Sequence, residues 1–281
     1  MPSDGIVERL TVWNNRRIEK RRLRAPFRKT SHGFEYRGIS VQYTDDWERH
    51  ERALIETLLG RVDRFVNVGA HYGFYACLAR SRGVPVIALE PVDANFRMLM
   101  DNLQHNGFED DAILIHSAAG PAPGIAEITG VFSGGTLTAN SKKPASLSQK
   151  TPVVPLDAVV PVSDGQTLVV MDVEGFEYEA LSGATALLAA PGRVSWLIEI
   201  VPSTTNRDGV LVENANYRAT FGMMFDAGYQ AWLIEETSRR LGPEEIEAAM
   251  ARNPADRPIG NVLFMAAGAD ISEVIRDRAG A

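Results

Sequence analysis

Apolar and polar positions alternate along the chain with two periods, and each change of period marks an element. RFVNVG, VPVIALE, AILIHSAAG, TLVVMDVEG and VSWLIEIV are short apolar runs bounded by glycine or polar residues, as buried strands are. Between them HYGFYACLARSRG, DANFRMLMDNLQHNG and FEYEALSGATALLAA repeat apolar residues at helical spacing, the second with Asp93 near its start and Gly107 at its end. DDWERHERALIETLLG reads as an earlier helix with Asp45 or Asp46 as its cap and Gly60 as its stop. FEYRGISVQYT alternates about Gly38 and predicts a short hairpin. Downstream follow a helix over 215–226, a strand within QAWLIEETSRR, a charged helix in GPEEIEAAMARN and a last strand in GNVLFMAAG. Strands alternating with helices predict an α/β fold, a mainly parallel sheet covered on both faces. Residues 1–45 form a basic arm with the hairpin, and 46–281 form one large domain.

Composition fits that picture: 281 residues, 45% hydrophobic and 23% charged, suffice for a sizeable core. Cys77 is the only cysteine, so no intrachain disulfide forms and a cytoplasmic protein is expected. No apolar stretch reaches the roughly 18 residues of a membrane span, and MPSDGIVERL has no signal-peptide core. The net charge of −7 is uneven, because NNRRIEKRRLRAPFRK holds eight Lys or Arg. Two readings of that arm stay open: a solvated helix, favoured by the near-helical spacing of Arg16, Arg17, Lys20, Arg21 and Arg24, or a dock for an anionic partner such as nucleic acid.

The loop VGAHYG joins the first strand of the regular pattern to its helix, where an α/β sheet takes its ligand. Glu90 ends the next strand, twenty-one residues after Gly69, the spacing at which an acid accepts ribose hydroxyls. The second glycine of GxGxxG is replaced by His71, after Ala70, and a side chain there crowds a diphosphate. A cofactor without phosphates fits better, and S-adenosylmethionine is one; a dehydrogenase is disfavoured, and the missing GKS/GKT argues against a kinase or ATPase.

FVNVGAHYGFYACLA, ALEPVDANFRMLMDNLQHNG, VPLDAVV with LVVMDVEGFEYEALSGATALL, and WLIEIVPS together resemble the FkbM-type class I S-adenosylmethionine-dependent methyltransferases. The resemblance runs from about Trp47 to Gly268 and implies a Rossmann-like seven-stranded sheet with the last strand antiparallel. It further implies methyl transfer to a hydroxyl of a sugar, glycan or hydroxylated natural product. The cofactor residues it implies are Glu48, Asn67, Gly69, Ala70, His71, Gly73, Glu90, Pro91, Ser117, Ala118 and Asp172. Relatives usually carry Asp at 67, Asn at 71 and Lys at 170, where this chain has Asn67, His71 and Val170. Asn67 therefore meets the cofactor's ammonium with a neutral bond, about 1 kcal/mol against roughly 1.5–3 for a charge-assisted one.

Asp172 and Glu174 end the fourth strand of the pattern and Glu199 lies near the end of the fifth, so the three carboxylates converge beside the donor. Asp172 is expected nearest the methionyl group, with Glu174 as base or acceptor anchor and Glu199 in support. Glu174-Gly175 as a helix cap and Glu199 in an ion pair with arginine are the structural alternatives. His71 is either a turn and cofactor contact or the base. Mg²⁺ or Ca²⁺ on the carboxylates is a further option, though no metal is expected. Rival readings are a nucleic-acid methyltransferase using the arm, disfavoured because DVEG is not an N-P-P-Y-type strand end, and a non-catalytic relative. Specificity is expected in 122–150 and 202–217.

Overall fold

The computed structural model describes residues 13, 17, 21–44, 46–129, 136–137, 148–205, 211–234, 239–253, 260–269, 271 and 274. In chain order the elements begin with β1 (Arg28–Lys29), β2 (Glu35–Tyr36), α1 (Arg49–Leu59), β3 (Arg64–Val68), α2 (Phe74–Ser81), β4 (Val86–Leu89), α3 (Asp93–His105) and β5 (Ala112–Ile115). Next come β6 (Ala118–Ala119), β7 (Gly124–Thr129), β8 (Thr136–Leu137), β9 (Ser148–Val154), α4 (Leu156–Val159), β10 (Thr167–Met171), α5 (Glu177–Ser182) and α6 (Thr185–Leu188). Last are β11 (Val194–Ile200), β12 (Ser203–Thr205), β13 (Leu211–Glu213), α7 (Tyr217–Asp226), β14 (Tyr229–Ile234), β15 (Arg239–Leu241), α8 (Pro243–Met250) and β16 (Gly260–Ala266).

The main sheet has the order β15-β14-β16-β11-β10-β3-β4-β5. β11, β10, β3, β4 and β5 are parallel, and β16 is antiparallel to both β11 and β14. The expected α/β fold with an antiparallel last strand is therefore present, with one difference in strand count. QAWLIEETSRR is not one strand: it contributes β14 and the short β15, which pairs antiparallel at the edge as an eighth strand. β4 and β10 are buried along their whole length, which is why both read as continuous apolar runs. Alternate residues feed opposite faces. Val66, Val68, Val169 and Met171 pack with Leu181, Phe221 and Met224 on one side. Phe65, Leu168 and Val170 pack with Leu54, Phe74 and Leu99 on the other.

Several local expectations are corrected. The hairpin lies at β1–β2, pairing Arg28 with Tyr36 and turning near Gly33, whereas Ser40–Tyr43 is a 3₁₀ turn. Gly38 is no turn tip; an added Cβ would lie 2.2 Å from the Tyr36 ring, so glycine is needed where the chain folds over a buried aromatic. α1 starts at Arg49 behind Glu48 (φ 44°), so Asp46 does not cap it, and Asp45 lies outside the described residues. FEYEALSGATALLAA forms two helices, because Gly183 packs against the Gly120 carbonyl and Asp157 restarts the chain by accepting the Ala186 N–H (2.8 Å) and the Thr185 hydroxyl (2.9 Å). The Gly- and Ser-rich stretch before residue 150 contains a second sheet, order β6-β9-β7-β8. Of the arm, residues 21–23 are helical, while Arg16 and Lys20 lie outside the described residues. Among the described residues no helix is long and apolar enough to cross a membrane.

Candidate active site

A cavity of about 310 Å³ opens at the carboxyl ends of β3, β4 and β10 and is roofed by Ile39, Gln42, Trp47 and Glu48. On its floor the Gly69 and Ala70 N–H groups both donate to the Leu89 carbonyl at 2.9 Å, tying the turn after β3 to the end of β4. Gly69 (φ 80°) sits against the Asp172 backbone, where a Cβ would lie 1.9 Å from the carbonyl oxygen. Gly73 (φ 83°) packs under α3, where a Cβ would lie 2.3 Å from Leu99 Cδ1. The two glycines thus answer to the protein's own packing. Gly73 does not line the cavity, unlike the other sequence-predicted residues. Glu48, His71 and Glu174 do line it, and each is a non-glycine residue held at positive φ (44°, 50° and 53°). Such conformations cost of order 1–3 kcal/mol each and persist only where the surroundings impose them.

Glu90 is almost fully buried. Its Oε2 accepts the His71 N–H (2.7 Å), and its Oε1 accepts the Val92 N–H (2.9 Å) and Asn95 Nδ2 (3.2 Å). Burial pushes its carboxyl up to about 7, against the pull of those three bonds. A carboxylate offers about four acceptor positions, so Glu90 has one left for a ligand.

Across the cavity, Asp172 and Glu199 bring their carboxyl groups within hydrogen-bond reach. Burial, then the charges of Glu199 and Glu174, hold Asp172 well above the usual carboxylate range. Asp172 sits among packed elements of the fold yet is exposed to the cavity. Glu199 is also raised by burial, with its bond to Asp172 opposing the shift. Glu48 bonds the Tyr75 hydroxyl; burial lifts its carboxyl to about 7, the tyrosine opposing. Burial first, then the charge of Arg22, takes the His71 imidazole down to about 4, so the ring is neutral near pH 7 and a weak base. It stacks on Tyr72 at 3.9 Å between centroids.

The structural alternatives for two acids fail. Glu174 does not cap α5: Glu177 Oε1 accepts the Gly175 N–H at 2.8 Å instead, leaving Glu174 exposed at the rim. Glu199 meets Asp172, among the described residues, in place of an arginine. Tyr75, Asn95 and Asn261 also line the cavity and were not anticipated. Tyr75 and Asn95 occupy first turns of helices that follow strands, a position readable from sequence. Asn261 begins the antiparallel β16 opposite Glu199, so the start of that strand, not its end, reaches the site. Of the expected specificity segments, 130–135, 138–147 and 206–210 lie outside the described residues. Within the first segment, β9 braces the site: Gln149 accepts the Asp93 N–H (3.0 Å) and donates to the Pro91 carbonyl (2.6 Å). Among the described residues no group of three or more His, Cys, Asp or Glu is arranged to hold a metal ion.

Residues 67–230, more than half of the chain, match the family model of the methyltransferase FkbM domain. No curated protein sequence matches the chain. Similar solved structures include the methyltransferase FkbM from Methylobacillus flagellatus KT, at 18% identity and a TM-score of 0.44 over 72% of this chain. This chain spans 43% of that protein's length. The precorrin-6y C5,15-methyltransferase of Geobacter metallireducens GS-15 gives 12% and 0.40, over 78% of this chain and 87% of its own. The CcbJ methyltransferase of Streptomyces caelestis gives 11% and 0.39, over 78% and 89%.

Proposed function

The chain belongs to the FkbM methyltransferase family, and we propose that it is an S-adenosylmethionine-dependent O-methyltransferase acting on a hydroxyl of a sugar, glycan or hydroxylated natural product. The observation that carries the reading is the pairing, in one cavity, of Glu90 with the adjoining carboxyl groups of Asp172, Glu174 and Glu199. The residues fit the cofactor. Asn67 Oδ1 and Ser117 Oγ are buried beside the cavity without a hydrogen-bond partner among the described residues, and Glu90 keeps one acceptor position. That acceptor-rich set suits the ribose hydroxyls and ammonium of adenosylmethionine. When bound, the cofactor supplies a methyl group already activated on a sulfonium.

What remains for the protein is alignment and a proton. Glu90, Asn67 and Ser117 bind on the adenosine and methionyl side, and Glu48 with Tyr75 closes the roof. Glu174, exposed at the rim, meets the incoming acceptor and takes its hydroxyl proton. Asp172 and Glu199, hydrogen-bonded to each other, support the acceptor beside Glu174.

The test is release of S-adenosylhomocysteine against panels of nucleotide sugars, glycans and hydroxylated metabolites, with Asp172→Asn and Glu174→Gln beside the wild type. Removing a positioned acid or base costs about 10²–10⁴ in kcat. Wild-type turnover in both variants refutes these roles, and calorimetry showing no binding of S-adenosylmethionine refutes the reading as a whole.

A further inference from the structure

We propose that the basic N-terminal segment works inward, with Arg22 as a positioning residue that fixes the His71–Tyr72 turn through the Tyr72 hydroxyl. This rests on the cofactor reading above and gives the arm a role other than docking nucleic acid. Of the residues in helical turn 21–23, Arg21 is exposed, as is Arg24 just beyond, but Arg22 is half-buried and its Nη1 donates to Tyr72 Oη at 3.0 Å. Leu23 packs against the apolar cluster that holds Phe74 and Leu99, and its carbonyl accepts Arg37 Nη1 at 2.6 Å. The turn is thereby docked through three contacts, made by Arg22 and Leu23.

Tyr72 receives a second tether. Asn102, fully buried on α3, donates to the Tyr72 carbonyl (2.8 Å) and to the Arg37 carbonyl (2.9 Å), and accepts the Arg37 N–H (2.8 Å). Arg37 precedes the 3₁₀ turn and Trp47–Glu48 that roof the cavity. Side chain and backbone of one residue are therefore both held by contacts that run to the N-terminal segment. Tyr72 then stacks on His71, which lines the cavity at φ 50° with its N–H on Glu90. A left-handed non-glycine turn relaxes when what imposes it is removed. Releasing the Tyr72 ring frees the His71 ring stacked on it, and with it the N–H that orients Glu90.

The experiment measures binding of S-adenosylhomocysteine by calorimetry to the full chain and to Arg22→Ala, Arg22→Lys, Tyr72→Phe, Arg22→Ala/Tyr72→Phe, Arg21→Ala and Arg24→Ala. Thermal melts of each identify any folding defect. Arg22→Ala and Tyr72→Phe are expected to weaken binding roughly three- to ten-fold, the size of couplings carried through packed side chains. The double variant loses no more than either single one, because both remove the same bond. Arg22→Lys recovers most of the loss, and Arg21→Ala and Arg24→Ala bind as wild type. Equal losses in Arg21→Ala, Arg22→Ala and Arg24→Ala, additive losses in the double variant, or wild-type binding by Arg22→Ala overturns the proposal while leaving the cofactor reading intact. Absence of binding by the wild type overturns both.

Discussion

Glu177→Gln isolates the effect of burying a carboxyl outside the cavity. Glu177 is 2% exposed, accepts the Gly175 N–H, and has its carboxyl raised by burial from 4.5 to about 7, with Asp172 adding to the shift. Between those two values the folded chain holds a proton that the unfolded chain has lost. Stability from this group is thus fully present below pH about 4.5 and lost as pH rises through about 7. A shift from 4.5 to about 7 corresponds to about 3 kcal/mol, since each unit is worth about 1.4 kcal/mol. Glutamine keeps a carbonyl for the Gly175 N–H and has no proton to lose. Urea unfolding at pH 5 and pH 8 reads the outcome. Wild type and variant should be close at pH 5, and the variant should gain about 3 kcal/mol on the wild type by pH 8. Parallel stability profiles across that range would refute the assignment of a buried, proton-retaining Glu177.

Two further outcomes test the site. Gly69→Ala forces a Cβ to within 1.9 Å of the Asp172 carbonyl at φ 80°, and should cost at least about 2–4 kcal/mol and abolish calorimetric cofactor binding; normal binding would show that the turn yields freely. Tyr75→Phe removes the bond that favours ionised Glu48, so its carboxyl rises beyond about 7 and the acid limb of S-adenosylmethionine affinity moves to higher pH; an unmoved limb, followed from pH 6 to 9, would remove Glu48 from binding.

What the sequence disclosed follows from burial. The central strands lose both faces to helices, so β4 and β10 show as unbroken apolar runs, and the rule that ligands gather at strand carboxyl ends leads directly to Glu90 and Asp172. β7 and β9 do not stand out in the sequence because little of them is buried: Ile125 of β7 is 77% exposed, and β9 buries Thr151 between the exposed Lys150 and Pro152. Nothing in WERHERAL marks Glu48 as left-handed, so the start of α1 was misplaced. In DVEGFE the first glutamate was weighed as the helix cap, but positive φ at Glu174 and Gly175 turns the backbone so that Glu177 takes the N–H. Asn102 is invisible by periodicity, since its value lies in bonds to residues 30 and 65 positions away.

The placement of β16 governs how the chain must be assembled. Residues 260–266 wedge between β11 and β14, so each of these strands has an open edge until that late segment is added. β14 and β15 pair with each other, but that pair reaches the rest of the main sheet only through β16. Until β16 pairs with both, β11 and β14 each keep an unpaired edge open to other chains. A chain ending before residue 260 would keep Glu48, Glu90, Asp172, Glu174 and Glu199 and yet lack the strand that joins β11 to β14.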